Sequence, residues 1–114
     1  MKKFSTAGIF SKQEGEAVEA TLKALYTFLG EQGLQVLLSS QAAHLLNKPA
    51  TPDEDLAAQI DIAIVVGGDG TLLTAGRLLS MYQVPIVGVN LGRVGFLVDV
   101  LPANMQEQIA AILN

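Results

Sequence analysis

Apolar residues recur along this chain with two different periods, and the alternation between them predicts its elements. Lys3–Phe10 reads as a first strand. Between Glu14 and Gln32, the residues Val18, Leu22, Leu25, Tyr26 and Leu29 recur at helical spacing and make one apolar face. Glu14 and Glu16 put acid at the electropositive end of that helix, and Gly33 stands where a C-terminal cap belongs. Leu34–Leu38 predicts a second strand and Gln41–Leu46 a short helix. The run NKPATPDED, 47–55, carries two prolines and predicts a loop, leading into a short helix over Glu54–Gln59. Ile62–Val66 is apolar without interruption, as in a strand covered on both faces. Leu72–Tyr82 is apolar nearly all round and predicts a deeply packed helix; Val84–Val89 predicts another buried strand. A last helix is expected after Pro102. The order β-α-β-(α)-β-α-β-α predicts an α/β fold: one doubly wound, mostly parallel sheet with helices on both faces.

Composition narrows the function classes. The 114 residues form one domain's worth of chain, half of them hydrophobic, with a mean hydropathy of +0.41. That excludes disorder as the dominant state. There is no cysteine, so a disulfide framework and a thiolate metal site are both excluded. The basic tip of MKKFSTAGIFSK is followed by a short, polar-interrupted apolar stretch and then Lys12, which does not make a signal peptide. No apolar run approaches the roughly 18 residues of a membrane helix. A cytoplasmic setting is expected, with no membrane partner. A net charge of −4 and only seven Lys and Arg argue against nucleic acid as a partner. Charge is also uneven: from Ile62 to Asn114 the charged residues are Asp69, Arg77, Arg93, Asp99 and Glu107. That half is expected either to form the core of the sheet or to present a face that further protein covers.

The stretch IAIVVGGDGT, Ile62–Thr71, carries the first chemistry. Gly67 and Gly68 follow a buried strand, and Thr71 can cap the helix behind them. Glycines permit positive φ and let a ligand approach the backbone, and the free N–H groups with the helix dipole favour an anion. Asp69 would repel that anion unless it serves magnesium, a hydroxyl or a proton in transfer. Alternatively Asp69 only caps the helix. The segment matches neither GxxxxGK[ST] nor GxGxxG. A second loop, NLGRVGF from Asn90, follows the strand 84–89. Strand 62–66, helix 72–82 and strand 84–89 form one βαβ crossover, so the two strands run parallel and both loops leave the same carboxyl edge. Asp69 thereby meets Asn90, Arg93 and Phe96 where open α/β sheets bind ligands.

GGDGT at Gly67–Thr71, with GVNLGRVGFLVDV at Gly88–Val100, resembles the two hallmark segments of the N-terminal domain of NAD kinases. GGDGT is shared with diacylglycerol, sphingosine and phosphofructokinase-type kinases; the NLGxxGFL pattern is more particular. The resemblance implies a Rossmann-like domain. It also implies phosphoryl transfer from ATP, or in some members polyphosphate, to the adenosine-ribose 2′-hydroxyl of NAD, with a divalent metal such as magnesium. By that resemblance Asp69 is the catalytic proton acceptor. Gly67, Gly68, Gly70, Thr71 and Leu72 would line the nucleotide and phosphate site, Asn90, Arg93 and Gly95 would join them, and Phe96 and Leu97 would lie against adenine. No protein residue is assigned to the metal. Leu72 and Leu97 depart from the family, in which many members carry aromatic residues. Relatives continue into a second, β-rich domain with an Asn-Glu or Asn-Asp motif that this chain lacks. The 114 residues are thus expected to be an N-terminal domain, incomplete as an enzyme, whose parent assembles as a homo-oligomer through the missing domain.

Other polar residues invite plainer readings. His44 is expected to be structural or at the surface, and Arg77 to pack with its head in solvent. Arg93 either neutralises a phosphate or pairs with Asp99, itself read as a strand-end carboxylate. Asp53–Asp55 reads as a solvated helix start, Met81 and Tyr82 as core, and Lys2 and Lys3 as a solvated terminus. Two other functions compete: a lipid or sugar kinase sharing GGDGT, and a nucleotide-binding or interaction domain without turnover.

Overall fold

Burial along each strand follows its place in a four-stranded parallel sheet of order β2-β1-β3-β4. The computed structural model describes residues 4–12, 15–67, 69–90 and 105–113. Its elements are β1 (Thr6–Ser11), α1 (Glu16–Glu31), β2 (Gln35–Leu38), α2 (Ser40–Leu46), α3 (Asp53–Gln59), β3 (Ile62–Gly67), α4 (Asp69–Leu79), β4 (Ile86–Asn90) and α5 (Met105–Leu113). The expected doubly wound α/β architecture is present. β3 is central and buried at all six positions, whereas β2 is an edge strand and half-open. A strand covered on both faces has no use for alternation, which is why Ile62–Val66 is continuously apolar.

Alternate residues of the strands feed two cores. Ala7, Ile9, Ile62, Ile64, Val66, Val87 and Val89 face α1, α2 and α5, where Val18, Leu22, Leu25, Leu29 and Ile109 meet them. Burying each of these larger side chains contributes about 1.5–3 kcal/mol. On the opposite face, Phe10, Ala63 and Val65 pack with Leu56, Ala57 and Ile60 near α3 and with Ala75 and Leu79 of α4. Gly8 lets this second layer lie close against β1: a Cβ there would lie 2.8 Å from Ile60 Cδ1 and 3.3 Å from Leu56 Cδ1, and those side-chain ends would have to shift.

Local chemistry fixes the ends of α1 and α2. Gly33, at a φ of 84°, follows α1; its N–H bonds the Gly30 carbonyl and the Leu34 N–H bonds the Leu29 carbonyl, a Schellman closure. This is the cap expected of Gly33. Asn47 does the same for α2 at a φ of 55°, with the Lys48 N–H on the Ala43 carbonyl. Asp61 staples the sheet: it accepts the Ser5 N–H at 2.7 Å and the Thr6 N–H at 3.1 Å.

Strand and helix bounds differ from the sequence expectations by a few residues, and β1 begins at Thr6 rather than Lys3 within the described residues. The larger differences concern α4. It starts at Asp69 and stops at Leu79, after which Ser80–Tyr82 form a single 3-10 turn closed by Gln83 at a φ of 55°. It is not packed all round. Thr71, Ala75 and Leu79, spaced four apart, make the buried side, while Leu73, Thr74 and Arg77 face outward. Met81 and Tyr82 are not core but 86% and 44% exposed, because the 3-10 turn carries them off the sheet before β4 begins. Arg77 and His44 are at the surface, as expected, and Asp53–Asp55 form the exposed first turn of α3.

Candidate functional site

Two strands end side by side at the carboxyl edge. In the ladder between β3 and β4, Gly67 is the partner of Asn90, the last residue of each strand. The loops that leave these residues therefore start from neighbouring points, as the βαβ argument required. Gly67 holds a φ of 153°, and a Cβ on it would lie 2.9 Å from Thr71 Oγ1. Only glycine lets the chain turn here while Thr71 folds back beneath it.

The turn leads at once into α4. Asp69 is its first residue and Gly70 its exposed second, so Thr71 lies inside the helix rather than at the cap expected of it. Thr71 is the third residue of the helix, 9% exposed, because the helix begins earlier than its apolar pattern suggested. The first-turn N–H groups of such a helix have no intrahelical acceptor and point out of its end. Thr74 Oγ1 bonds the Gly70 carbonyl at 3.0 Å, which pins the first turn from within. Leu72 is half-buried and packs against the cluster of Phe10, Val65 and Leu79.

The structure thus brings together Gly67, Asp69, Gly70, Thr71, Leu72 and Asn90 of the expected site. Gly68, Arg93, Gly95, Phe96 and Leu97, with Asp99, lie outside the described residues, as do the side chains of Asp69 and Asn90. Among the described residues no group of three or more His, Asp and Glu side chains converges as a metal cage. A magnesium ion does not require one, since it commonly binds one or two carboxylates, several waters and substrate phosphates.

A cavity of about 300 Å³ adjoins this turn and was not anticipated from the sequence. It opens between the ends of β1 and β2 and the inner side of α4, and Thr71 is common to it and to the turn. Apart from Thr71, no motif marks its residues. The available signal was weaker: Ser11 and Lys12 break the apolar run of β1, and Ser39–Gln41 follow β2. Both polar breaks fall at carboxyl ends of parallel strands.

A family description, "ATP-NAD kinase N-terminal domain", matches residues 8–114. The NAD kinase of Methylococcus capsulatus is 42% identical over 113 residues, covering 97% of this chain and 39% of that protein. That of Tolumonas auensis is 41% identical over 114 residues, with the same two coverages. The chain therefore spans about two-fifths of the length of these relatives. Among solved structures, yeast NADH kinase complexed with NADH superimposes with a TM-score of 0.82 at 20% identity, over 96% of this chain and 36% of that one. That likeness concerns the fold.

Proposed function

The chain belongs to the family of ATP-NAD kinase N-terminal domains, and from that premise we propose that it supplies the catalytic carboxylate and the phosphate-facing turn of an NAD kinase. The observation that carries this reading is the pairing of Gly67 with Asn90, which makes both glycine-bearing loops leave one edge of the sheet. In the proposed reaction the 2′-oxygen of NAD's adenosine ribose attacks the terminal phosphorus of the donor. A new O–P bond forms, the bond from that phosphorus to its bridging oxygen breaks, and the hydroxyl proton passes to the Asp69 carboxylate.

Transfer of this kind proceeds through a loose transition state that demands positioning and charge neutralisation more than covalent help. Asp69, at the head of α4, orients the hydroxyl and accepts its proton late. The turn Gly67–Thr71 presents backbone N–H groups to phosphate oxygens. Gly68, Leu72, Asn90, Arg93, Gly95, Phe96 and Leu97 are assigned to nucleotide contact on the strength of their motifs. Magnesium, riding on the donor phosphates, would neutralise charge there. The uncovered length of the relatives supplies the rest of the NAD pocket and any oligomer contact.

The test joins this chain in frame to the remainder of the Methylococcus capsulatus relative and measures NADP formation. Turnover is expected, and Asp69→Asn is expected to lower kcat by about 10²–10⁴-fold, the range for general-base assistance. An Asp69→Asn chimera as active as its parent would remove Asp69 from catalysis. Diacylglycerol phosphorylation in place of NADP formation would favour the lipid-kinase alternative.

A further inference from the structure

The outer side of α4 and the turn after it carry apolar side chains that the fold leaves in water. Leu73, Arg77 and Met81, spaced four apart, form an outward stripe, and Tyr82 stands beside Met81. Leu73 is 54% exposed and Met81 still more so. One exposed leucine needs no explanation, but a stripe of leucine, methionine and tyrosine around an arginine has the composition of an interface.

α3 lies beside α4 on the same face of the sheet. The two helices run the same way. Asp53 begins α3 next to the cavity at the carboxyl ends of β1 and β2, and α3 stops just before β3 starts. α4 likewise leaves the carboxyl end of β3, and its 3-10 turn leads into β4. Charge on this face is therefore separated end from end. Asp53, Glu54 and Asp55 are exposed at the carboxyl edge, whereas Arg77 stands about 12 Å along α4 from its first residue. Among the described residues no cation pairs with these acids and no carboxylate pairs with Arg77.

We propose that this α3–α4 face is a contact between two copies of the chain, related by a two-fold axis that sets the helices of one antiparallel to those of the other. Such a contact joins one patch to itself and closes as a dimer. Antiparallel alignment carries Arg77 of each copy toward the acidic first turn of α3 in the second. It also sets Leu73 of one copy near Met81 and Tyr82 of the other. Parallel alignment would stack acid on acid, which is costly. The uncovered length of the relatives is the rival occupant, but it would follow α5, which packs in the larger core on the opposite face of the sheet. The proposed contact is distinct from any that this length makes, and it does not depend on the kinase reading. Helices of 7 and 11 residues side by side make a face only about 20 Å across, below the roughly 800 Å² per partner of a standard interface. The dimer is accordingly weak and reversible.

Sedimentation equilibrium of the 114-residue chain tests this, at loading concentrations from about 10 µM to 1 mM. A monomer–dimer equilibrium is expected, weakened by salt because part of the contact is ionic. Arg77→Glu and the double variant Glu54→Lys/Asp55→Lys should each raise the dissociation constant about 10-fold, since each reverses both ionic contacts of the dimer. An equimolar mixture of the two should recover the parent's affinity, because every ionic contact in the mixed dimer again joins unlike charges. Met81→Lys, at a side chain the fold does not use, should weaken the dimer and leave the melting temperature unchanged. A chain that stays monomeric throughout this range would overturn the proposal. So would a dimer that none of these variants weakens, or a mixture no tighter than its components. Protection of Met81 from peroxide only when the chain is joined to the remainder of the Methylococcus capsulatus relative would also overturn it, and would give the face to that remainder.

Discussion

At Gly67 three demands meet on one residue: it ends a buried strand, turns at a φ of 153°, and leaves room for Thr71 Oγ1 where its own Cβ would be. Gly67→Ala is therefore expected to cost about 1–3 kcal/mol in backbone strain, read as a lower melting temperature. The contact with Thr71 identifies how much of that loss is steric: pairing the change with Thr71→Ala should recover part of it, and no recovery would assign the cost to φ alone. Asp61 makes a different prediction. Its carboxylate holds two amides at the start of β1, so Asp61→Ala should destabilise by about 1–3 kcal/mol in total, discounted for its partial exposure. Hydrogen exchange would then quicken first at Ser5 and Thr6. The turn at Gly67 was legible in the sequence because a glycine that ends an apolar run has few other structural uses. Ser11, Ser39 and Asp61 were not, because a serine or aspartate beyond a strand looks the same whether it faces water, a cavity or a neighbour's backbone. Only the fold makes that distinction.

Elements were read best where periodicity ran long. Of the face expected for α1, Val18, Leu22, Leu25 and Leu29 are buried and Tyr26 half-buried, while Phe28, 9% exposed, joins it from outside the expected set. The error on α4 has a simple cause. Leucine at 72, 73 and 78 hides the four-residue rhythm of Thr71, Ala75 and Leu79, which marks the buried side. Leu72 and Leu78 are half-buried and Leu73 exposed, so a pattern that is apolar nearly all round does not single out the buried face. Loop chemistry at the helix ends gives a further test. Gly33→Ala places a Cβ at a φ of 84° and should cost about 1–2 kcal/mol. Asn47→Gly, at a φ of 55° that glycine adopts freely, should be neutral within about 0.5 kcal/mol. Equal losses at the two positions would contradict this account of the caps. The surface pair Lys23–Glu19 at 3.6 Å is too exposed to add a measurable share.

For the whole molecule, the parallel order β2-β1-β3-β4 determines which residues hold it together. Ile64 sits on central β3, fully buried between β1 and β4, and belongs to the larger core. Ile64→Ala should cost about 2–5 kcal/mol, measured by denaturant unfolding; a loss within experimental scatter would show that the sheet can collapse around the void. The same order has a consequence for how the chain is made. β1 is synthesised before the other strands of this sheet yet lies inside it, and the ladder from Ala7 to Ile62 closes only when β3 has left the ribosome. Until then β1 can pair with β2 on one side and presents unpaired peptide groups along its other edge. An unpaired strand edge of this kind is where nascent chains join one another. The interval between translation of Leu38 and of Gly67 is thus when this protein most depends on a chaperone, and a pause in elongation before Ile62 should lower the soluble yield more than one after Asn90.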